Sequence, residues 1–139
     1  MPKRKKKKEY VVDSHAILTY LQAGEGWQEL GRLLRFWKRK GIFARLNWIN
    51  WGEIYYTIHR HFGKEKAQEA MDFVAAYPVT LEPIDLSLVE SAAELKATYS
   101  FAYADAFCAA TALKYDAVLV TGDPELRQIE GRIQIRWIK

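Results

Sequence analysis

ADAFCAATALKYDAVLVTGDP, residues 104–124, decides how the rest of the chain is read. ADAFCAATALKY (104–115) is rich in Ala, the residue that loses least on entering a helix, and predicts one. AVLVT (117–121) is a continuous apolar run of the kind found in strands buried on both faces. GDP (122–124) then turns the chain. An acid stands at each end of this unit: Asp105 opens the helix and Asp123 follows the strand.

The same alternation extends outward in both directions. EYVVD (9–13) predicts a short buried strand ending on Asp13, and SHAILTYLQAG (14–24) a helix stopped by Gly24. WQELGRLLRFWKRKG (27–41) is amphipathic, with Leu30, Leu33, Leu34 and Trp37 as its apolar stripe and Gly41 at its end. IFARL (42–46) predicts a second strand. Asn50 followed by Glu53 predicts a helix start, with Asn50 as the cap and Gly63 as the stop. KEKAQEAMDFVAAY (64–77) is a further helix ended by Pro78. An extended piece follows at Val79–Ile84, then a helix with Ser87 and Glu90 as its capping box, reaching Tyr99. Downstream, ELRQIE (125–130) predicts a short helix and RIQIRWI (132–138) a last strand. Strands alternating with helices predict an α/β domain over residues 10–139, around a mostly parallel central sheet flanked by helices.

Composition agrees with one folded domain: 139 residues, 50% hydrophobic and 27% charged. The single Cys108 excludes an internal disulfide framework and a Cys-based zinc site. It fits a reducing, intracellular home. The net charge of +4 is unevenly placed. Residues 1–9, MPKRKKKKE, hold six bases and one acid, leaving 15 bases and 16 acids for the remainder. Such a like-charged run repels itself, predicting a disordered tail that tethers RNA or aids solubility. Asp13 and His15 interrupt the apolar run behind it, so it is no signal peptide. Nothing approaches the roughly 18 consecutive apolar residues of a membrane span, so a cytoplasmic protein is expected. No GxGxxG, P-loop or GxSxG is present.

Chemistry is concentrated in four acids at four junctions. In open α/β sheets, ligands bind beyond the carboxyl ends of the strands. Asp13, Glu53, Asp105 and Asp123 all converge there if the sheet is parallel. Clustered carboxylates repel one another, and so raise their own pKa values or demand a cation. Mg²⁺ and Mn²⁺ prefer oxygen ligands and can activate a water for phosphodiester hydrolysis. Each acid also has a plainer role. Asp13 could cap a helix, Glu53 complete a capping box, Asp105 complement a helix N-terminus, and Asp123 form a turn.

The motifs VVDSHAILTYL (11–21), INWGEI (49–54), YADAFCAATAL (103–113) and LVTGDPELR (119–127) resemble those of the PIN-domain ribonucleases. In size and motif order the chain is similar to the VapC-type toxins of prokaryotic toxin–antitoxin modules. The resemblance implies a three-layer PIN-like fold and an endoribonuclease using one or two Mg²⁺ or Mn²⁺ ions. It implies an RNA substrate, a cognate antitoxin and a homodimer. It implies Asp13, Glu53, Asp105 and Asp123 as catalytic and metal-binding acids, with Asp13 and Asp105 the most direct ligands. Ser14 and Thr121 match the supporting hydroxyls. His15 departs from the pattern, which has a second small hydroxyl residue there. Glu125 is placed as a fifth, outer acid.

The basic half-helix, with Arg32, Arg35, Lys38, Arg39 and Lys40, is either a solvated face or a rim contacting RNA phosphates or the antitoxin. Three other functions stay open: a PIN nuclease of RNA processing without an antitoxin, a non-catalytic metal-binding interaction module, and a phosphatase with an acidic Mg²⁺ pocket. The last is the weakest, because no second acid follows Asp13 at close range.

Overall fold

The computed structural model describes residues 7–139. Most of the basic segment expected over residues 1–9 therefore lies outside the described residues. The elements run in the order β1 (Tyr10–Val12), α1 (Ser14–Leu21), α2 (Trp27–Lys40), β2 (Ala44–Asn47), α3 (Trp48–Phe62) and α4 (Lys64–Ala75). They continue with β3 (Val79–Glu82), α5 (Leu86–Thr98), α6 (Tyr103–Tyr115), β4 (Val118–Thr121), a 3₁₀ turn at Pro124–Ile129 and β5 (Ile135–Trp137).

The five strands form one sheet in the order β3-β2-β1-β4-β5, and every pairing is parallel. A parallel sheet needs helical crossovers that cover both faces. The side-chain period of two divides the apolar strand residues accordingly. Val12, Leu46, Val118 and Val120 pack with α1 to α4, around a fully buried Trp37. Val11 and Leu119 point the other way, into a second core built by α5, α6 and the 3₁₀ turn. The Ala-rich sequence of α6 lets it lie close on the sheet, with Ala106, Ala109, Ala110 and Ala112 all buried.

The expected elements are present, with shifted ends. β2 covers 44–47 rather than 42–46, and the helix after it begins three residues early. Its cap is Asn47, whose Oδ1 accepts from the Asn50 N–H at 2.9 Å, so Asn50 sits inside the first turn. Asn47 is the last residue of β2 and turns directly into the helix, so the cap lies three residues before Asn50. Likewise α5 is capped by Asp85, which accepts from the Leu88 N–H at 2.8 Å, and not by a Ser87–Glu90 box. The aspartate competes successfully because its carboxylate is the stronger acceptor at a helix N-terminus.

Parallel strands place all their carboxyl ends on one edge. β1 lies between β2 and β4, and the chain's crossovers diverge to either side of it. The crevice where strand order reverses therefore opens at the ends of β1 and β4, beside Asp13 and Thr121. Among the described residues no helix is long and apolar enough to cross a membrane.

Candidate active site

Asp13 leaves β1 and caps α1, its Oδ1 accepting from the Ala16 N–H at 2.8 Å. Its Oδ2 accepts a hydrogen bond from the Thr121 hydroxyl at the end of β4. Thr121 Oγ1 in turn accepts from the Asp123 N–H at 2.9 Å. The hydroxyl thus fixes one carboxylate directly and steers the turn that carries the next. Asp123 caps the 3₁₀ turn through the Glu125 N–H at 3.0 Å. The capping and turn roles read from sequence for Asp13 and Asp123 are real, and they aim both acids at the crevice.

Glu53 comes from α3. The neighbouring Ser14 hydroxyl donates to its Oε1. A buried amide clamp holds α3 against α6. Asn47 Nδ2 donates to Asn50 Oδ1 at 3.1 Å and to Thr111 Oγ1 at 3.3 Å. Asn50 Nδ2 donates to the Ala104 carbonyl at 3.1 Å, one residue before Asp105. Asn47, Asn50 and Thr111 were not among the residues singled out for the site. The Asn-x-x-Asn spacing at a strand–helix junction is the signal that could have found them.

Carboxylate oxygens of Asp105, Asp123 and Glu125 all lie within 4.8 Å of one another, and Asp13 lies as close to Asp105. Glu53 is near enough to repel both Asp13 and Asp105, so the four expected acids gather at one edge, and the outer acid Glu125 joins them. Among the described residues, no Lys or Arg forms a salt bridge with any of the five. Burial pushes the Asp13 carboxyl up to about 7, against the opposing pull of the Thr121 and Ala16 hydrogen bonds and with repulsion from Asp123 and Glu53. Asp105 is pushed to about 8 by burial and then by Asp123, Asp13, Glu53 and Glu125. Cys108 Sγ also lies near Asp13 and Asp105. Burial and the same carboxylates push its thiol well up, so it stays a neutral core residue.

The basic residues of α2 are elsewhere. Arg32 pairs with Glu29 on its own helix. The helix runs toward the amino end of β2, so Lys38, Arg39 and Lys40 lie at the sheet edge opposite the acids. The exposed His15 lies against the turn after β4: a Cβ on Gly122 would meet its Cε1 at 2.8 Å.

A sequence model of the PIN domain matches residues 10–132. No curated protein matches the chain. Several solved structures share the fold at low identity. VapBC2 from Rickettsia felis, bound to a DNA fragment from its promoter, is 15% identical, with a TM-score of 0.72 over 94% of this chain and 98% of that one. The DNA-bound VapBC of Salmonella typhimurium is 16% identical, with a TM-score of 0.71 over 95% and 99%. VapC20 of Mycobacterium tuberculosis, a toxin that cleaves the sarcin–ricin loop, is 18% identical, with a TM-score of 0.69 over 86% and 94%.

Proposed function

The chain belongs to the PIN-domain family, and on that footing we propose that it is a divalent-metal-dependent endoribonuclease, the toxin of a toxin–antitoxin pair. The observation that carries the reading is the set of five acids at one sheet edge, none of them in a salt bridge with a Lys or Arg among the described residues. Their donor atoms are all carboxylate oxygens, which suits Mg²⁺ or Mn²⁺. Asp13 and Asp105 would hold the ion most directly, with Glu53 and Asp123 completing the site for one or two ions.

Bound there, the cation supplies neutralising charge to a phosphodiester and activation of a water. The chain's own residues orient the acids. Thr121 fixes Oδ2 of Asp13, and Ser14 fixes Oε1 of Glu53. Asp13 and Asp105, held partly protonated by burial and mutual repulsion, give up their protons on binding a cation. No side chain is needed as a covalent nucleophile.

The antitoxin is proposed because the fold is shared with proteins solved as VapBC complexes. A homodimer is proposed because α3 exposes Trp48, Tyr56 and Phe62, an apolar row of the kind that interfaces cover. A cytoplasmic home is proposed with the RNA substrate.

The test is cleavage of mixed cellular RNA by the wild type and by Asp13→Asn, in Mg²⁺ and in EDTA. Cleavage confined to wild type in Mg²⁺ is expected. Cleavage that persists in EDTA, or in the variant, would sink the mechanism.

A further inference from the structure

We infer that the amino end of the sheet is a second RNA contact, an exosite that grips the phosphate backbone of a single strand away from the acids. The inference rests on the reading of the protein as a ribonuclease. Its basis is a sorting of charge along the strand axis. The carboxyl edge gathers the acids, while the segments that enter the strands at the other edge carry bases. Lys7 and Lys8 precede β1, Lys114 ends α6 ahead of β4, and Arg132 precedes β5. These four line one cavity of about 780 Å³.

The acids of that lining are Glu9 and Asp116. Glu9 is already paired with Arg45 at 2.6 Å, so it does not offset the cations. Lys7, Lys8, Lys114 and Arg132 are all exposed, and Lys114 also reaches Glu82 at 3.5 Å. The last turn of α2 adds Lys38, Arg39 and Lys40 at the same end. The cavity lies in the size range of pockets that take a small molecule, so a nucleotide unit fits.

RNA phosphate is the ligand this surface suits. Contacts of this kind position a strand without reading its sequence. From Lys8 to Asp13 a strand rises about 16 Å. Only an RNA several nucleotides long touches both ends, so the exosite favours long substrates over short ones.

The test compares wild type with Lys7→Gln/Lys8→Gln/Lys114→Gln/Arg132→Gln. A triple variant that keeps Lys114 guards against loss of the Lys114–Glu82 pair. Binding of a labelled single-stranded RNA of about 30 nucleotides is measured in EDTA over a salt series. Single strands give a log–log slope of about −0.7 per phosphate neutralised, so the fourfold variant should flatten it by about 2 to 3 and the triple by about 2. In Mg²⁺, KM for the long RNA should rise about tenfold, with kcat unchanged and cleavage of an RNA of about six nucleotides unaffected. An unchanged slope overturns the exosite. So does a loss of affinity confined to phosphatidylserine vesicles or duplex DNA. No cleavage of RNA by wild type in Mg²⁺ overturns instead the ribonuclease reading on which the exosite rests.

Discussion

The Thr121 hydroxyl donates to Asp13 Oδ2 across the seam between β4 and β1, joining residues 108 apart in sequence. The same oxygen accepts the Asp123 N–H. One hydroxyl therefore sets the orientation of one acid and the backbone position of another. Thr121→Val keeps the shape of this fully buried side chain and removes the hydroxyl. Loss of such an outer partner typically costs 10–100-fold in metal affinity or activity. We expect RNA cleavage to fall by about that factor, with a higher Mg²⁺ requirement, while Thr121→Ser stays near wild type. Equal activity of all three proteins across a Mg²⁺ titration would show that the relay has no role.

The charged site makes the metal-free protein sensitive to pH. Asp13 is raised to about 7 and Asp105 to about 8, both from 3.8. Between about pH 4 and pH 8 the folded chain thus binds more protons than the unfolded one, and stability must fall as pH rises through that window. Below pH 4 both states are protonated and the contribution is fully present. In EDTA the melting temperature should drop from pH 5 to pH 8.5, and Mg²⁺ should restore it most at the alkaline end. Asp13→Asn should flatten the drop. A melting temperature that holds level or climbs over this range in EDTA would contradict the assignment.

The clamp between α3 and α6 is a positioning device. Asn50 ties the first turn of α3 to the Ala104 carbonyl, so it governs the separation of Glu53 and Asp105. Asn50→Ala removes a buried amide that accepts from Asn47 and donates to the Ala104 carbonyl, at a cost of about 1–3 kcal/mol. Urea unfolding should report that loss. Cleavage in Mg²⁺ should fall by more than the small unfolded fraction explains, because Glu53 is no longer held in place.

Gly122 supplies room for a ring. A Cβ there would lie 2.8 Å from His15 Cε1, 3.1 Å from its Nδ1 and 3.3 Å from Ile138 Cγ1. Gly122→Ala must displace His15 or move the turn that carries Asp123. Cleavage should drop several-fold, and adding His15→Ala should recover it, since the ring is the nearest obstacle. If the double variant is as impaired as the single one, the turn itself and not the ring sets the constraint.

Much of this site was legible in the chain. Val11, Val12 and VLVT at 118–121 are continuous apolar runs because β1 and β4 are covered on both faces. Once the sheet is parallel, the acids after those runs must share an edge. Contacts that depend on the order of strands and on helix packing could not be read in the same way. Ser14 meets Glu53, and Asn50 meets residue 104, only because α1, α3 and α6 all begin against one crevice. The spacing of Asn50 to Glu53 imitates a capping box, whereas α3 is capped by Asn47, the last residue of β2, a junction visible only once the end of that strand is placed. The basic residues of α2 sat in an obvious run, yet their distance from the acids follows from the direction in which the helix returns to the sheet.

The parallel pairing of β1 with β4 also governs when the protein becomes competent. Tyr10, Val11 and Val12 are made well before the partners they pair with, Val118, Leu119 and Val120. At about 5–20 residues per second, roughly 5 to 20 seconds separate the two. Through that interval α1 to α4 can assemble on β1 and β2, while Asp13 still lacks Thr121, Asp105 and Asp123. A nascent chain therefore lacks the complete acid cluster until β4 docks beside β1.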